Sequence, residues 1–172
     1  MTDVSASGRY DATSELRGIT IVSGGQSGAD RAALDFAIEH GIAHGGWCPR
    51  GRLAEDGPID ARYELQETSS RRYAERTEWN VRDSDATAIF TIGPQVSGGT
   101  ALTVEFAARL GRPCLHLAEE SGPAASDHAR KLLDFLATHT ARRLNVAGPR
   151  ASQEPKIAAF VHDVLEAALA MH

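Results

Sequence analysis

The sequence predicts an α/β fold: one three-layer domain built on a mainly parallel sheet of about five strands, with helices on both faces. Three observations predict it. Short β-rich apolar runs alternate with amphipathic helical stretches, in the order β-α-β-(loop, α)-β-α-β-α-β-α. Two of the apolar runs end in Gly/Ser-rich junctions that open helices. The length of 172 residues, 42% of them apolar, fits one ordinary domain with a sizeable core.

The elements follow in order. "MTDVSASGRYDATSELRG" has neither the cationic start nor the apolar stretch of a signal peptide. Residues 1–17 therefore read as a flexible leader and residues 18–172 as the domain. "GITIVSGG" is a short buried strand ending in glycine. "ADRAALDFAIEHG" is a helix with Ala33, Leu34, Ala37 and Ile38 on one stripe and Gly41 closing it. "IAHGGWCP" reads as a second short strand that breaks at Pro49. "RGRLAEDGPIDARYELQETSS" is a long, polar, turn-rich connection of the kind that is often functional. "RRYAERTEWNVRDSD" is a short helix ending near Asn80, and "ATAIFTIG" is the clearest strand. The helix "ALTVEFAARLG" follows "SGGT". The strand "PCLHLA", the helix "SDHARKLLDFLATH", the strand "RRLNVAG" and the helix "EPKIAAFVHDVLEAALAMH" complete the chain. The last helix presents Ile157, Phe160, Val161, Val164, Leu165 and Leu169 on one face. Ala118 to Ala125 is a candidate disordered stretch.

Composition narrows the function classes. The net charge of -5 and pI of about 5.8 argue against extended nucleic-acid binding, which favours a basic face. No window approaches a membrane span. Cys48 and Cys114 form no CxxC pair and no disulfide framework, which fits a reducing cytoplasm. Both are expected to act as small hydrophobes, Cys114 in the core of its strand.

The two junctions carry the chemistry. In open α/β sheets, ligands bind beyond the carboxyl ends of the strands. Backbone N–H groups and a helix N-terminus can hold an anion there without any reactive side chain. The first junction supplies Gly24, Gly25, Gln26, Ser27 and Gly28, with Asp30 bracing the loop. The second supplies Ser97, Gly98, Gly99 and Thr100, with Thr103 one turn on. If their strands are adjacent, the two loops face one crevice, and phosphate is the expected anion. Either loop alone also reads as a plain tight turn. The long connection adds Trp47 to stack on a ring, and Arg50 and Arg52 to take phosphate oxygens, against core packing and a solvated surface as the alternatives. Arg76 and Asn80 read as structural or as lining the crevice. There is no GxSxG, HExxH or Walker A sequence. His40 and His44 do not share a helical face, so no metal is assigned to protein side chains.

The set "GGQSGADRAALDFA", "GGWCPRGRLAEDG", Tyr63-x-Leu65-x-Glu67-Thr68, Tyr73 to Thr87 and "SGGTALT" resembles the putative molybdenum carrier family. This is a circularly permuted YpsA-like branch of the SLOG superfamily, which includes the lonely-guy phosphoribohydrolases. The resemblance is dense from Ile19 to Leu117. It implies a Rossmann-like fold, a homo-oligomer (dimer or tetramer), and a pocket for a phosphorylated small molecule. The implied ligand is molybdenum cofactor or a similar phosphorylated pterin, carried for a molybdoenzyme recipient. A nucleotide has the same ring-plus-phosphate character, so a nucleotide-signal sensor or a phosphoribohydrolase is the alternative. Such a hydrolase would use Glu105, which falls on the acid position of the P-G-G-x-G-T-x-x-E motif. Ser97, Ala101 and Leu102 depart from that motif.

Overall fold

A computed structural model describes residues 16–121 and 124–171. Fifteen of the seventeen leader residues lie outside them. Leu16, the next, is fully buried in the main core. The chain forms β1 (Thr20–Val22), α1 (Ala29–Glu39), β2 (Ala43–Gly45), β3 (Trp47–Cys48), β4 (Leu53–Ala54), β5 (Gly57–Pro58) and β6 (Gln66–Glu67). It continues with α2 (Tyr73–Arg82), β7 (Ala86–Thr91), α3 (Gly98–Arg109), β8 (Cys114–Ala118), a 3₁₀ turn (Glu119–Ser121), α4 (Ala125–His139), β9 (Arg143–Ala147) and α5 (Ile157–Ala170).

Five strands make one parallel sheet in the order β2-β1-β9-β7-β8. Every neighbouring pair is parallel, so each crossover must pass over a face of the sheet. Helices α1, α4 and α5 cover one face, and α2 and α3 pack together on the other. The expected α/β three-layer fold is therefore the observed one.

Counted from β9 as first strand, the order is 3-2-1-4-5, that of a Rossmann-type sheet. The strand that ordinarily starts such a sheet here comes last in the chain. The strands that lead into the two glycine-rich junctions, β1 and β7, are not adjacent, because β9 lies between them. The physical cause is that β9 bonds on both edges, through Leu144 to Ile21 and through Leu144 to Ala86.

Alternation along the strands explains the layers. Ala86, Ala88 and Phe90 join Leu144, Val146 and Ile21 in the large apolar core beneath α1, α4 and α5. Thr87 and Asn145 point to the other face, where Asn145 Nδ2 donates to Thr87 Oγ1 at 3.3 Å. The second layer is small in apolar terms, centred on Val81, Phe106 and Ala107. The sheet thus has one oily face and one partly polar face.

Three local readings change. The predicted second strand is two: Gly46, at φ 133°, turns the chain out of the main sheet, and β3 pairs with β6 instead. Ile38 is exposed (39%), because the buried arc of α1 is centred on Ala29, Ala33, Phe36 and Ala37. Cys114 is exposed, since β8 is an edge strand whose first residues reach beyond the helices. Gly41, as expected, follows the helix end with φ 64°.

Candidate functional site

The carboxyl ends of β9 and β7 mark the switch point of this sheet, where α5 leaves over one face and α3 over the other. Two adjoining clefts open there. The larger, about 370 Å³, is lined by Thr91, Gly93, Ser97, Thr100, Pro149 and Gln153, among others. The smaller, about 100 Å³, shares Thr100 and Gln153 and adds Gln26, Asp30, Tyr73, Arg76, Gly99 and Thr103. The larger volume falls within the range of about 300–1,000 Å³ typical of small-ligand sites.

The two Gly/Ser junctions play unlike parts. The first is buried from Ser23 to Asp30, and its polar groups are largely consumed by the protein. Ser23 Oγ donates to Val146 O (2.7 Å), the Ala29 N–H to Pro149 O (3.2 Å), and Ser27 Oγ to the Glu55 carboxylate. The loop after β9 sits over the start of α1. That contact is what Gly28 serves: a Cβ there would lie 2.5 Å from Pro149 O and 2.7 Å from Ala151 N. Gly24 makes room for a side chain, since its Cβ would fall 1.8 Å from an Arg76 guanidinium nitrogen. Gly25 lies under Leu65 and Ile59.

The second junction is open. Ser97, Gly98 and Gly99 are exposed, and nothing lies within 4 Å of where a Cβ would stand on either glycine. Gly98, Gly99 and Thr100 are the first turn of α3 rather than a preceding loop, with Ser97 at the cap and no side-chain cap bond. Among the described residues the Gly98 and Gly99 N–H groups have no hydrogen-bond partner. A helix start with free amides carries partial positive charge toward whatever lies beyond it. Thr103, deeper in the cleft, donates its hydroxyl to Gly99 O (2.9 Å).

Between the junctions lies a buried ion pair. Arg76 NH1 donates to Asp30 Oδ2 at 2.9 Å, and the Gln26 N–H donates to the same oxygen at 3.3 Å. Burial pushes the Asp30 carboxyl above the usual carboxylate range, while Arg76 and the Gln26 amide pull it back. Asp30 is thus the brace its position suggested. Two polar atoms here remain unpartnered and buried: Gln26 Nε2 and Arg76 Nε. Gln26 is only 4% exposed, and its Oε1 already accepts from the Ser27 (3.0 Å) and Glu55 (2.9 Å) amides. Gln26 lines the smaller cleft, and its buried NH₂ is left with donors to spare. Arg150 stacks on Tyr73 at 4.8 Å, and Arg76 lies 5.8 Å from the same ring.

Several predicted contacts are elsewhere. Trp47 lines neither cleft: its indole N–H donates to Asp83 Oδ2 (2.8 Å), and its ring meets Trp79 edge-on. Asn80 brackets it, accepting from the Trp47 N–H (2.7 Å) and donating to the Trp47 carbonyl (2.9 Å). Asn80 also borders a recess of about 10 Å³ beside Gly24. Arg52 spends its guanidinium on the carbonyls of Ile59, Asp60, Tyr63 and Leu65. Arg50 is exposed and lines neither cleft. Glu105 is exposed and lines neither cleft as well.

The sequence reading missed the loop after β9. Gly148, Pro149, Arg150, Gln153 and Glu154 line the clefts. The signal was present in "NVAGPR", an apolar strand ending in Gly-Pro-Arg. It lacks the repeated Gly/Ser that marked the other two junctions. Gly148 is required for packing, as its Cβ would meet Phe90 O at 2.5 Å.

A Rossmann-type sheet permuted so that its central strand comes last, with an amide-lined cleft at its switch point, defines a distinct class of α/β protein. The chain belongs to the circularly permuted YpsA SLOG family, whose model matches residues 21–169. It is similar to a solved structure, the "Putative molybdenum carrier protein" of Syntrophus aciditrophicus SB, at 47% identity with a TM-score of 0.86. The match covers 90% of this chain and 97% of that one. No curated protein matches the chain at a comparable level of significance. Among the described residues no helix is long and apolar enough to cross a membrane.

Proposed function

We propose that this protein binds and carries molybdenum cofactor or a closely similar phosphorylated pterin, in the cleft between α3 and the loop after β9. The observation that carries the reading is that Gly99, whose α3 amide is free, and Gln26, whose NH₂ is unpartnered, line the same cleft. Both are donors, and both are fixed before any ligand arrives. A phosphate on the first turn of α3 would accept from Gly98 and Gly99 and face the Arg76 and Arg150 charges. The larger cleft would then take the ring system.

The donor set suits a ligand that brings its own metal. Neither cysteine lines a cleft, and the pterin dithiolene supplies the sulfurs that hold molybdenum. Glu105, exposed outside both clefts, is not at the ligand, so the alternative phosphoribohydrolase reading loses the acid its motif assigns. Binding is favoured over hydrolysis on that ground. Self-association to a dimer or tetramer, cytoplasmic residence and hand-over to a molybdoenzyme belong to the same proposal.

Anaerobic titration calorimetry with molybdopterin tests it, with AMP as the competing ligand. One site per chain is expected, tighter for the pterin. Thr100→Ala, at the wall shared by both clefts, is expected to weaken binding about tenfold, because a lost hydrogen bond to a charged group is worth about 1.5–3 kcal/mol. Tighter binding of AMP would transfer the site to nucleotides. Equal affinity of wild type and Thr100→Ala would remove the cleft from the account.

A further inference from the structure

The far end of α1 carries a second cluster that the cleft does not use. Glu39 and His40 end that helix, and His162 and Glu166 stand one turn apart on the facing side of α5. The fold joins residues 126 positions apart: His40 Nε2 meets Glu166 Oε1. His162 Nε2 lies 3.6 Å from Glu166 Oε1 and 3.7 Å from Glu39 Oε2. Ligand atoms of Glu39, His40 and Glu166 all lie within 4.8 Å of one another. The sequence reading assigned no metal ligands, since it considered His40 only with its neighbour His44.

We infer that Glu39, His40, His162 and Glu166 form a site for a divalent transition-metal cation of the zinc class. Two imidazoles and two carboxylates are a donor set that zinc accepts, in tetrahedral geometry with bonds of about 2.0–2.2 Å. Such bonds place ligand atoms about 3.4 Å apart. The two His162 separations, to Glu39 and to Glu166, are already close to that value, the His40–Glu166 contact must open, and His162 joins the Glu39, His40 and Glu166 group as its fourth ligand from the neighbouring turn of α5. The rings are also held in place. Phe36, fully buried, packs against His40 at 4.5 Å between centroids and against His162 at 6.3 Å. The other nitrogen of His162 lies 3.8 Å from Asp163 Oδ1, which adds negative charge beside the cluster. Among the described residues, no Lys or Arg lies within 4.0 Å of either glutamate. The four side chains are partly exposed, so a cation can enter. At 1.5 Å per residue the site lies about 15 Å along α1 from Asp30, which makes it independent of the proposed cofactor cleft. A bound ion would fasten α1 to α5.

The test is Co²⁺ and Zn²⁺ binding to the chelator-stripped full chain. Wild type is expected to take up one zinc per chain, raise its Tm, and give the intense visible absorption of tetrahedral Co²⁺. His162→Ala and Glu166→Gln should each weaken binding by more than about tenfold, since even outer partners of metal ligands cost about 10–100-fold. His139→Ala, on the exposed end of α4, should change nothing. Glu166→Gln is close in shape to the native residue, and its unliganded melting curve checks that the fold is intact. Absence of zinc uptake by wild type, or equal affinity in a folded Glu166→Gln, would overturn the inference. Loss of this site leaves pterin titration unchanged, so the two proposals fail separately.

Discussion

At the residue scale, side chains that look alike in the sequence divide sharply once folded. Arg52 and Arg76 are both arginines near the glycine loops, yet one ties four carbonyls of its own connection and the other holds Asp30 beside the cleft. Glu55 was not singled out in the sequence, but it clasps the first glycine-rich junction to the loop after β9. It accepts from Ser27 and from both the N–H and the hydroxyl of Ser152. The Ser152 and Ser27 bonds hold its carboxyl below the usual value of 4.5. A depressed folded pKa contributes stability that is present above the unfolded value and lost as pH falls through the folded one. Chemical denaturation below about pH 4.5 should therefore show wild type losing stability more steeply than Glu55→Gln; parallel acid limbs would remove this clasp. Asn80→Ala leaves the Trp47 amide and carbonyl without their bracket and is expected to cost about 1–3 kcal/mol. Ligand affinity should stay within about twofold, because one hydrogen bond to a ligand is worth more than that. A large affinity loss would return Trp47 and Asn80 to the binding site.

At the element scale, the two glycine-rich helix starts separate by what covers them. The start of α1 is roofed by the loop after β9, and the start of α3 is bare. Both were legible as strand-to-helix junctions, because glycine, serine and the helical period are local signals. Their different exposure was not legible, since it depends on a loop more than 100 residues away, as the 123-residue separation of the Ser23–Val146 bond shows. Gly99→Ala probes the bare start directly. Its backbone φ is not left-handed and the space is open, so thermal stability should be unchanged or slightly higher, by up to about 1 kcal/mol. The added methyl occupies the ligand's approach, and affinity should fall at least tenfold. Unchanged affinity would show that no ligand reaches α3.

At the scale of the whole molecule, the alternation of elements made the α/β class and the helices legible, and the glycine motifs pointed to one side of the candidate clefts. The sheet order was not, because nothing local in "RRLNVAG" says that it inserts between two earlier strands. The permuted order predicts its own experiment. A chain opened in the turn at residues 140–142, with residues 171 and 16 joined by a flexible linker, restores the 3-2-1-4-5 order along the sequence. Circular dichroism should show the same fold and a single cooperative transition; a molten, non-cooperative product would mean that the present chain order is needed for folding.

The most direct measurement is a crystal structure of the cofactor-loaded protein with anomalous data at the molybdenum edge. The account predicts one molybdenum peak per chain in the larger cleft between Thr91 and Gln153, with the phosphate on the Gly98 and Gly99 amides. A peak elsewhere, or a phosphate on the roofed start of α1, would contradict it.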